Sequence, residues 1–244
     1  MRSDEFIKKI SQMSAEDDEK FETLQKGLPL GLDMADGVVL SQKQTGAVSI
    51  RHTCVTGVKR GSFIRRFLIT LACLYEKDEA CFLVLSPNTE YGELLRLKNM
   101  DVTVPYLKNK EDLEMGKSTL RDLVRMRENG EGYPRLFVVL DGLEALPECN
   151  ANGDLEEYRE ILDMLARHKD IDVISGVDLL KSIFSGYPGA FVGIGNCLVT
   201  TREEGKADVT YVNSDTSLSQ PTPMLFPDAP SMTETVIYLN SLNK

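Results

Sequence analysis

The chain has 244 residues, a formal net charge of -10 and 42% hydrophobic residues, enough apolar content for one large core. Its acidity counts against duplex nucleic acid as a partner, because DNA is held by neutralising phosphates with Lys and Arg. No apolar run approaches the roughly eighteen residues that cross a bilayer, so membrane insertion is not expected, and no signal peptide is read.

In chain order, residues 1–26 read as an acidic helical lead-in, with Phe6, Ile10 and Met13 on one face and Phe21 and Leu24 on another. Ser14 with Asp17 resembles a helix start. Lys26-Gly27-Leu28-Pro29 marks a boundary, so a second unit spans residues 27–244. Val48 to Val55 then reads as a strand, a glycine turn follows at Gly57 to Gly61, and Phe63, Ile64, Phe67, Leu68, Leu71 and Leu74 recur at helical spacing. Next come a strand at Cys81 to Leu85, a helix over Tyr91 to Leu97, a short strand at Val102 to Val104, and a long charged helix from Glu111 to Glu128. A strand at Leu136 to Leu140, a helix over Leu155 to Arg167 and a strand at Ile171 to Ile174 complete the alternation. Such alternation predicts a mostly parallel sheet with helices on both faces.

The last third is broken by Gly176, Gly186, Gly189, Gly193 and Gly195, whose spacing is wrong for a dinucleotide fingerprint. Cys197 to Thr200 and Val209 to Val212 fit closing strands. Ser217 to Pro230, rich in Pro and Ser, reads as an extended surface crossing, and Thr233 to Leu242 as a terminal strand or helix.

Chemistry should sit in the turn after the first long strand. A phosphate loop of the form GxxxxGK[ST] uses small residues to bring backbone N–H groups to phosphate, a Lys to neutralise it and a hydroxyl to hold magnesium. With Thr56 and Gly57 in the loop's centre, Cys54 and Lys59 stand at the two glycine positions, Arg60 at the lysine and Gly61 at the hydroxyl. Sliding the frame by one recovers Ser62 as the hydroxyl but puts Gly61 at the lysine. Two readings stand: a tight turn flanked by solvated cations, or a residual anion site at a helix N-terminus built from Thr56, Gly57, Lys59, Arg60, Gly61 and Ser62. Gly116-Lys117-Ser118-Thr119 imitates the end of such a loop but falls inside the long charged helix, and a helix interior cannot cradle phosphate.

The run Leu136 to Leu140 ends in Asp141, as a buried parallel strand delivers an acid to the edge of a sheet. Asp141 is therefore the candidate magnesium-holding acid, with capping of the next turn as the alternative. Gly142 stands where a catalytic Glu would follow, and Glu144 is expected to face elsewhere. The five cysteines lack CxxC spacing and read as thiols of a reducing compartment, the cytoplasm. Only His52 and His168 are present, neither spaced with a cysteine pair, so no metal site is expected and His52 reads as a packed strand residue.

These residues resemble the FtsK/SpoIIIE branch of the RecA-like motor ATPases over most of the chain. The matching parts are Leu28 to Leu40 as the opening segment, Cys54 to Gly61 as the loop, Ser86-Pro87-Asn88 where the family has Asp-Pro-Lys, Leu123 to Arg127, and Asp141. The resemblance implies an α/β fold, a RecA-like P-loop NTPase sandwich, with ATP and magnesium as its ligands. Departures at the loop, the Asp-Pro-Lys turn and the acidic pair imply that both are weakly held and hydrolysis lost, since phosphoryl transfer needs these parts together. The degenerate later domains of EssC-like type VII secretion proteins are similar in this respect. The implied role is a non-hydrolysing scaffold, regulator or substrate-docking module of a translocation machine. Its partners would be sister ATPase domains, a client or regulatory protein, or further copies of itself, with attachment to a membrane-bound machine. The alternative is an active or nucleotide-gated motor that moves DNA or protein, with Arg60 standing in for Lys.

Overall fold

The computed structural model describes residues 27–34, 38–41, 51–75, 78–98, 100–128, 130, 133–146, 156–165, 168, 171–177, 197–203, 205–211, 219–226, 237 and 240–241. The lead-in over residues 1–26, Cys149 and the glycine-punctuated stretch 178–196 lie outside them.

The strands are β1 (Pro29–Leu32), β2 (Val38–Leu40), β3 (Arg51–Gly57), β4 (Ala80–Leu85), β5 (Asp101–Thr103), β6 (Arg135–Asp141), β7 (Ile171–Gly176), β8 (Cys197–Glu203), β9 (Lys206–Tyr211) and β10 (Thr222–Leu225). They form one sheet in the order β2-β1-β10-β9-β8-β3-β7-β6-β4-β5. The block from β8 through β5 is parallel, and the strands from β8 back to β2 pair antiparallel. Three α-helices are described: α1 (Arg60–Leu74), α2 (Lys110–Glu128) and α3 (Glu156–Leu165).

β6 shows why the sheet is covered on both sides. Its residues alternate between faces, and both sets are apolar. Phe137 and Val139 join one core with Phe63, Ile64, Phe67, Leu68 and Leu71 of α1. Leu136, Val138 and Leu140 join the other with Leu113, Leu120 and Val124 of α2 and Tyr158, Ile161, Leu162 and Leu165 of α3. Leu136 to Leu140 are each at most 1% exposed, a gross gain of about 10 kcal/mol for the strand at roughly 2 kcal/mol per large apolar side chain. The two-faced parallel sheet predicted from alternation is therefore present.

One expectation is refined and one corrected. The helix read over Tyr91 to Leu97 is present as a 3-10 helix, Thr89–Arg96. The Asn88 side chain accepts the Glu90 N–H at 3.0 Å and starts the tighter coil. Within the predicted surface crossing Ser217 to Pro230, Thr222–Leu225 is β10, seated between β9 and β1. Met224 and Phe226 are buried at 2% and 1%, and this alternate burial draws the segment into the sheet although it carries Pro221 and Pro223. Of Thr233 to Leu242, Ile237, Asn240 and Ser241 are described and helical; the Asn240 amide bonds the backbone of Arg96 and Lys98 at 2.8 and 3.0 Å.

Candidate functional site

The site lies at the C-terminal ends of β3, β7 and β6, with β7 in the middle. β3 and β6 are therefore two strand spacings apart, roughly 10 Å, and a group after β3 must cross the end of β7 to reach Asp141. Arg60, the first residue of α1, makes that crossing. Its Nε donates to Asp141 Oδ1 at 3.2 Å and its Nη2 lies 2.7 Å from Glu144 Oε1. Gly176, which pairs with Asp141 across the sheet, leaves the route open. A Cβ on Gly176 would overlap Asp141 Oδ1 and approach Ile64 Cδ1 to 2.7 Å.

Glu144 does not face elsewhere. Gly142 takes a left-handed conformation (φ +72°), which a residue with a side chain adopts only under strain. The chain then turns through a short 3-10 segment, Leu143–Ala145, that returns Glu144 to Arg60. Both carboxylates have side chains only 6% exposed, against 24% for Arg60.

Two tyrosines that the sequence did not single out complete the network. Tyr91, from the Thr89–Arg96 helix, donates to Asp141 Oδ2 at 2.8 Å. The Tyr158 hydroxyl, from α3, lies 2.9 Å from Glu144 Oε2 and 3.0 Å from the Gly176 carbonyl, and accepts the Leu143 N–H at 3.0 Å. Three of the four carboxylate oxygens thus accept from Arg60 or Tyr91, and the fourth, Glu144 Oε2, shares the single Tyr158 hydroxyl proton with the Gly176 carbonyl. The available sequence signal was Tyr158 on the apolar stripe with Ile161, Leu162 and Leu165, since a buried tyrosine hydroxyl needs a partner.

Burial pushes the Asp141 carboxyl above its ordinary range, and the Arg60 charge and the Tyr91 hydrogen bond offset this only in part. Burial works against the Arg60 charge too, but Glu144 and Asp141 outweigh it and hold the guanidinium above its usual value. Burial, with the neighbouring carboxylates, drives Tyr91 and Tyr158 well up, so both are neutral donors.

The other candidate loop residues are arranged as follows. Cys54, Val55, Thr56 and Gly57 continue β3: Cys54 and Val55 pair with both β7 and β8, Thr56 and Gly57 with β8. Only Val58 and Lys59 separate the strand from α1. Thr201 of β8 ties this turn down: its hydroxyl donates to the Thr56 carbonyl at 2.8 Å and accepts the Lys59 N–H at 3.3 Å. Gly57 has φ +102°, and a Cβ there would overlap the Thr201 carbonyl oxygen. The Lys59 side chain is exposed, while Gly61 and Ser62 are half-buried in the first turn of α1. A Cβ on Gly61 would come within 3.7 Å of Asp141 Oδ2.

The imitation loop is indeed a helix interior. Gly116 packs against Leu85, whose Cδ2 would lie 2.7 Å from an added Cβ. Lys117 is 1% exposed. Its ammonium lies 2.8 Å from Glu114 and 2.6 Å from Glu160 and bonds Glu157, so it clamps α2 to α3. Those three glutamates are the described acidic group whose geometry could hold a cation, and Lys117 sits among them. His52 is 1% exposed, with its Nε2 2.7 Å from the Ser175 hydroxyl. Burial raises the Cys54 thiol to about 11 and those of Cys73 and Cys197 to about 12, which keeps them protonated and unreactive.

A strand, a short turn and a helix facing an acid-ended strand two places away define a domain of P-loop NTPase architecture. No family model matches the chain, and no curated protein matches its sequence. Solved structures do match. The cytoplasmic domain of the Thermomonospora curvata type VII secretion ATPase EccC superposes with a TM-score of 0.55 at 12% identity, over 86% of this chain and 30% of that one. The cytoplasmic domain of EssC gives 0.54 at 14%, over 84% of this chain and 44% of that one. A structure described as an ATPase gives 0.57 at 11%, over 84% and 88%. The fold is the RecA-like P-loop NTPase sandwich of these proteins. The chain spans less than half the length of the EccC and EssC structures. Among the described residues, no helix is long and apolar enough to cross a membrane.

Proposed function

We propose that this chain is an ATPase-like module of a protein translocation machine that has kept the motor fold and lost nucleotide turnover, serving as a scaffold, regulator or docking unit. One observation carries the reading: Arg60, at the position of the phosphate-loop lysine, is engaged by Asp141 and Glu144. The turn supports it. A phosphate cradle needs successive N–H groups outside the sheet, whereas residues 54–57 are paired within it. In this arrangement the site does not fit magnesium-bound phosphate, because the metal-holding acid accepts from Arg60 and Tyr91. The similarity to EccC and EssC supports type VII secretion as the kind of machine. The charge of -10 supports protein partners over DNA, whether sister ATPase domains, a client, a regulatory protein or further copies of this chain.

Titration with a fluorescent ATP analogue, with and without magnesium, tests this. The dissociation constant should be weaker than about 100 μM, a binding free energy of roughly -5.5 kcal/mol, with no phosphate release above background. Magnesium-dependent hydrolysis abolished by Asp141→Asn would establish the active-motor alternative.

A further inference from the structure

We propose that Arg60 is a built-in counter-ion: its guanidinium holds Asp141 and Glu144 together where a P-loop enzyme would use a bound divalent cation. The inference rests on the functional reading above and adds what holds the site together.

The guanidinium does not grip one carboxylate with two parallel bonds, the usual strong geometry. It spreads, Nε to Asp141 and Nη2 to Glu144, bridging two acids as a metal ion bridges ligands. The acids come from the end of β6 and from the 3-10 turn after it, and the arm comes from α1, so one side chain ties three elements. Two glycines permit this geometry. Gly142 supplies the left-handed turn, at φ +72°, that returns Glu144 to Arg60. Gly176 lets Asp141 lean over the end of β7. Tyr91 and Tyr158 hold the outer oxygens, Oδ2 and Oε2, and leave the inner pair, Oδ1 and Oε1, to the guanidinium.

The charges decide the consequence. Arg60 brings one positive charge against two carboxylates that are almost fully buried. Without it, two buried acids face a single spot from which their bridging cation has been removed, an arrangement that a buried site relieves by binding a proton or a metal. The spot is reachable, since Arg60 is 24% exposed, and hard carboxylate oxygens suit magnesium and manganese. Removing the Arg60 side chain should therefore create a divalent-cation site that the wild type does not have.

The probe is Mn2+, measured by the loss of its free-ion paramagnetic resonance signal and by the thermal midpoint of the chain. Wild type should take up no manganese with saturable affinity. Arg60→Ala should bind one ion at least tenfold more tightly, with a raised midpoint, and Arg60→Ala/Glu144→Gln should lose that gain. If Arg60→Ala does not fold in chelator, recovery of its circular dichroism on adding manganese supports the proposal. Failure of Arg60→Ala to bind, or to recover, overturns it, as does wild-type uptake equal to that of the variant. Those results leave the loss of nucleotide turnover untouched, whereas magnesium-dependent ATP hydrolysis by the wild type overturns the functional reading itself.

Discussion

His52 offers a test of burial that is independent of the candidate site. It lies in β3, 1% exposed, with Nε2 2.7 Å from the Ser175 hydroxyl. Burial lowers the imidazole from 6.5 to about 4. Between those values the unfolded chain binds a proton at His52 and the folded chain does not, so folding loses free energy as the pH falls. The contribution is complete above pH 6.5, and its loss is complete below pH 4. At roughly 1.4 kcal/mol per pH unit the shift is worth about 3 kcal/mol in full, under half of it lost by pH 5.5 and most of it by pH 4.5. Carboxylates titrate in the same range, so the informative quantity is the difference between wild type and His52→Gln. Glutamine can still reach Ser175 but does not titrate. Urea unfolding of both proteins at half-unit steps from about pH 7.5 to 4.5 should show the wild type losing roughly 2 to 3 kcal/mol more than the variant. Parallel profiles would mean that His52 titrates alike in both states, and the assignment of a buried, neutral imidazole would be wrong.

The glycines and the lysine clamp give further expectations, each read by urea unfolding at pH 7. Gly57→Ala should cost roughly 3 kcal/mol, combining a disfavoured positive φ with overlap on the Thr201 backbone carbonyl, which cannot rotate away. Gly176→Ala should cost about 2 kcal/mol, because the Asp141 side chain can shift, though only by loosening its bond to Arg60. Tolerance of both substitutions within 0.5 kcal/mol would contradict the close approaches described. Lys117→Met should cost about 2 kcal/mol, less than a fully buried ion pair because Glu114 and Glu160 are half-exposed. Burial works against the Glu157 charge, but Lys117 and Lys110 outweigh it and hold that carboxyl below its usual range, so the cost should shrink only as the pH falls below the ordinary glutamate value and through the lowered one; a cost independent of pH would mean that packing, not charge, is what Lys117 contributes.

The parts of this protein legible in its sequence are those fixed by local pattern. The run Leu136 to Leu140 followed by Asp141 announces a two-faced buried strand ending in an acid, and the structure has one. The spacing from Phe63 to Leu74 announces a helix, and α1 is that helix, buried beyond the announced stripe at Arg66, Ile69, Thr70 and Ala72 as well. Legibility fails where long-range burial overrides local signals. Pro221 and Pro223 argue for a loop, yet Met224 and Phe226 have a core to enter, and β10 forms.

The candidate site fails to show in the sequence for a sharper reason. Glu144, two residues beyond Gly142, reads as facing elsewhere, but Gly142 supplies the left-handed turn that brings Glu144 back to Arg60. A missing motif residue thus does two things: it removes a side chain and it redirects the chain after it. The second effect depends on which groups meet at the sheet edge, here Arg60 from β3's successor helix, Tyr91 from beyond β4 and Tyr158 from α3. These residues are up to 98 positions apart, from Arg60 to Tyr158, and no local periodicity links them. Fold survives such exchanges because it rests on the apolar alternation of the sheet, which no site residue supplies. On the function proposed above the chemistry does not, because it rests on which cation Asp141 meets.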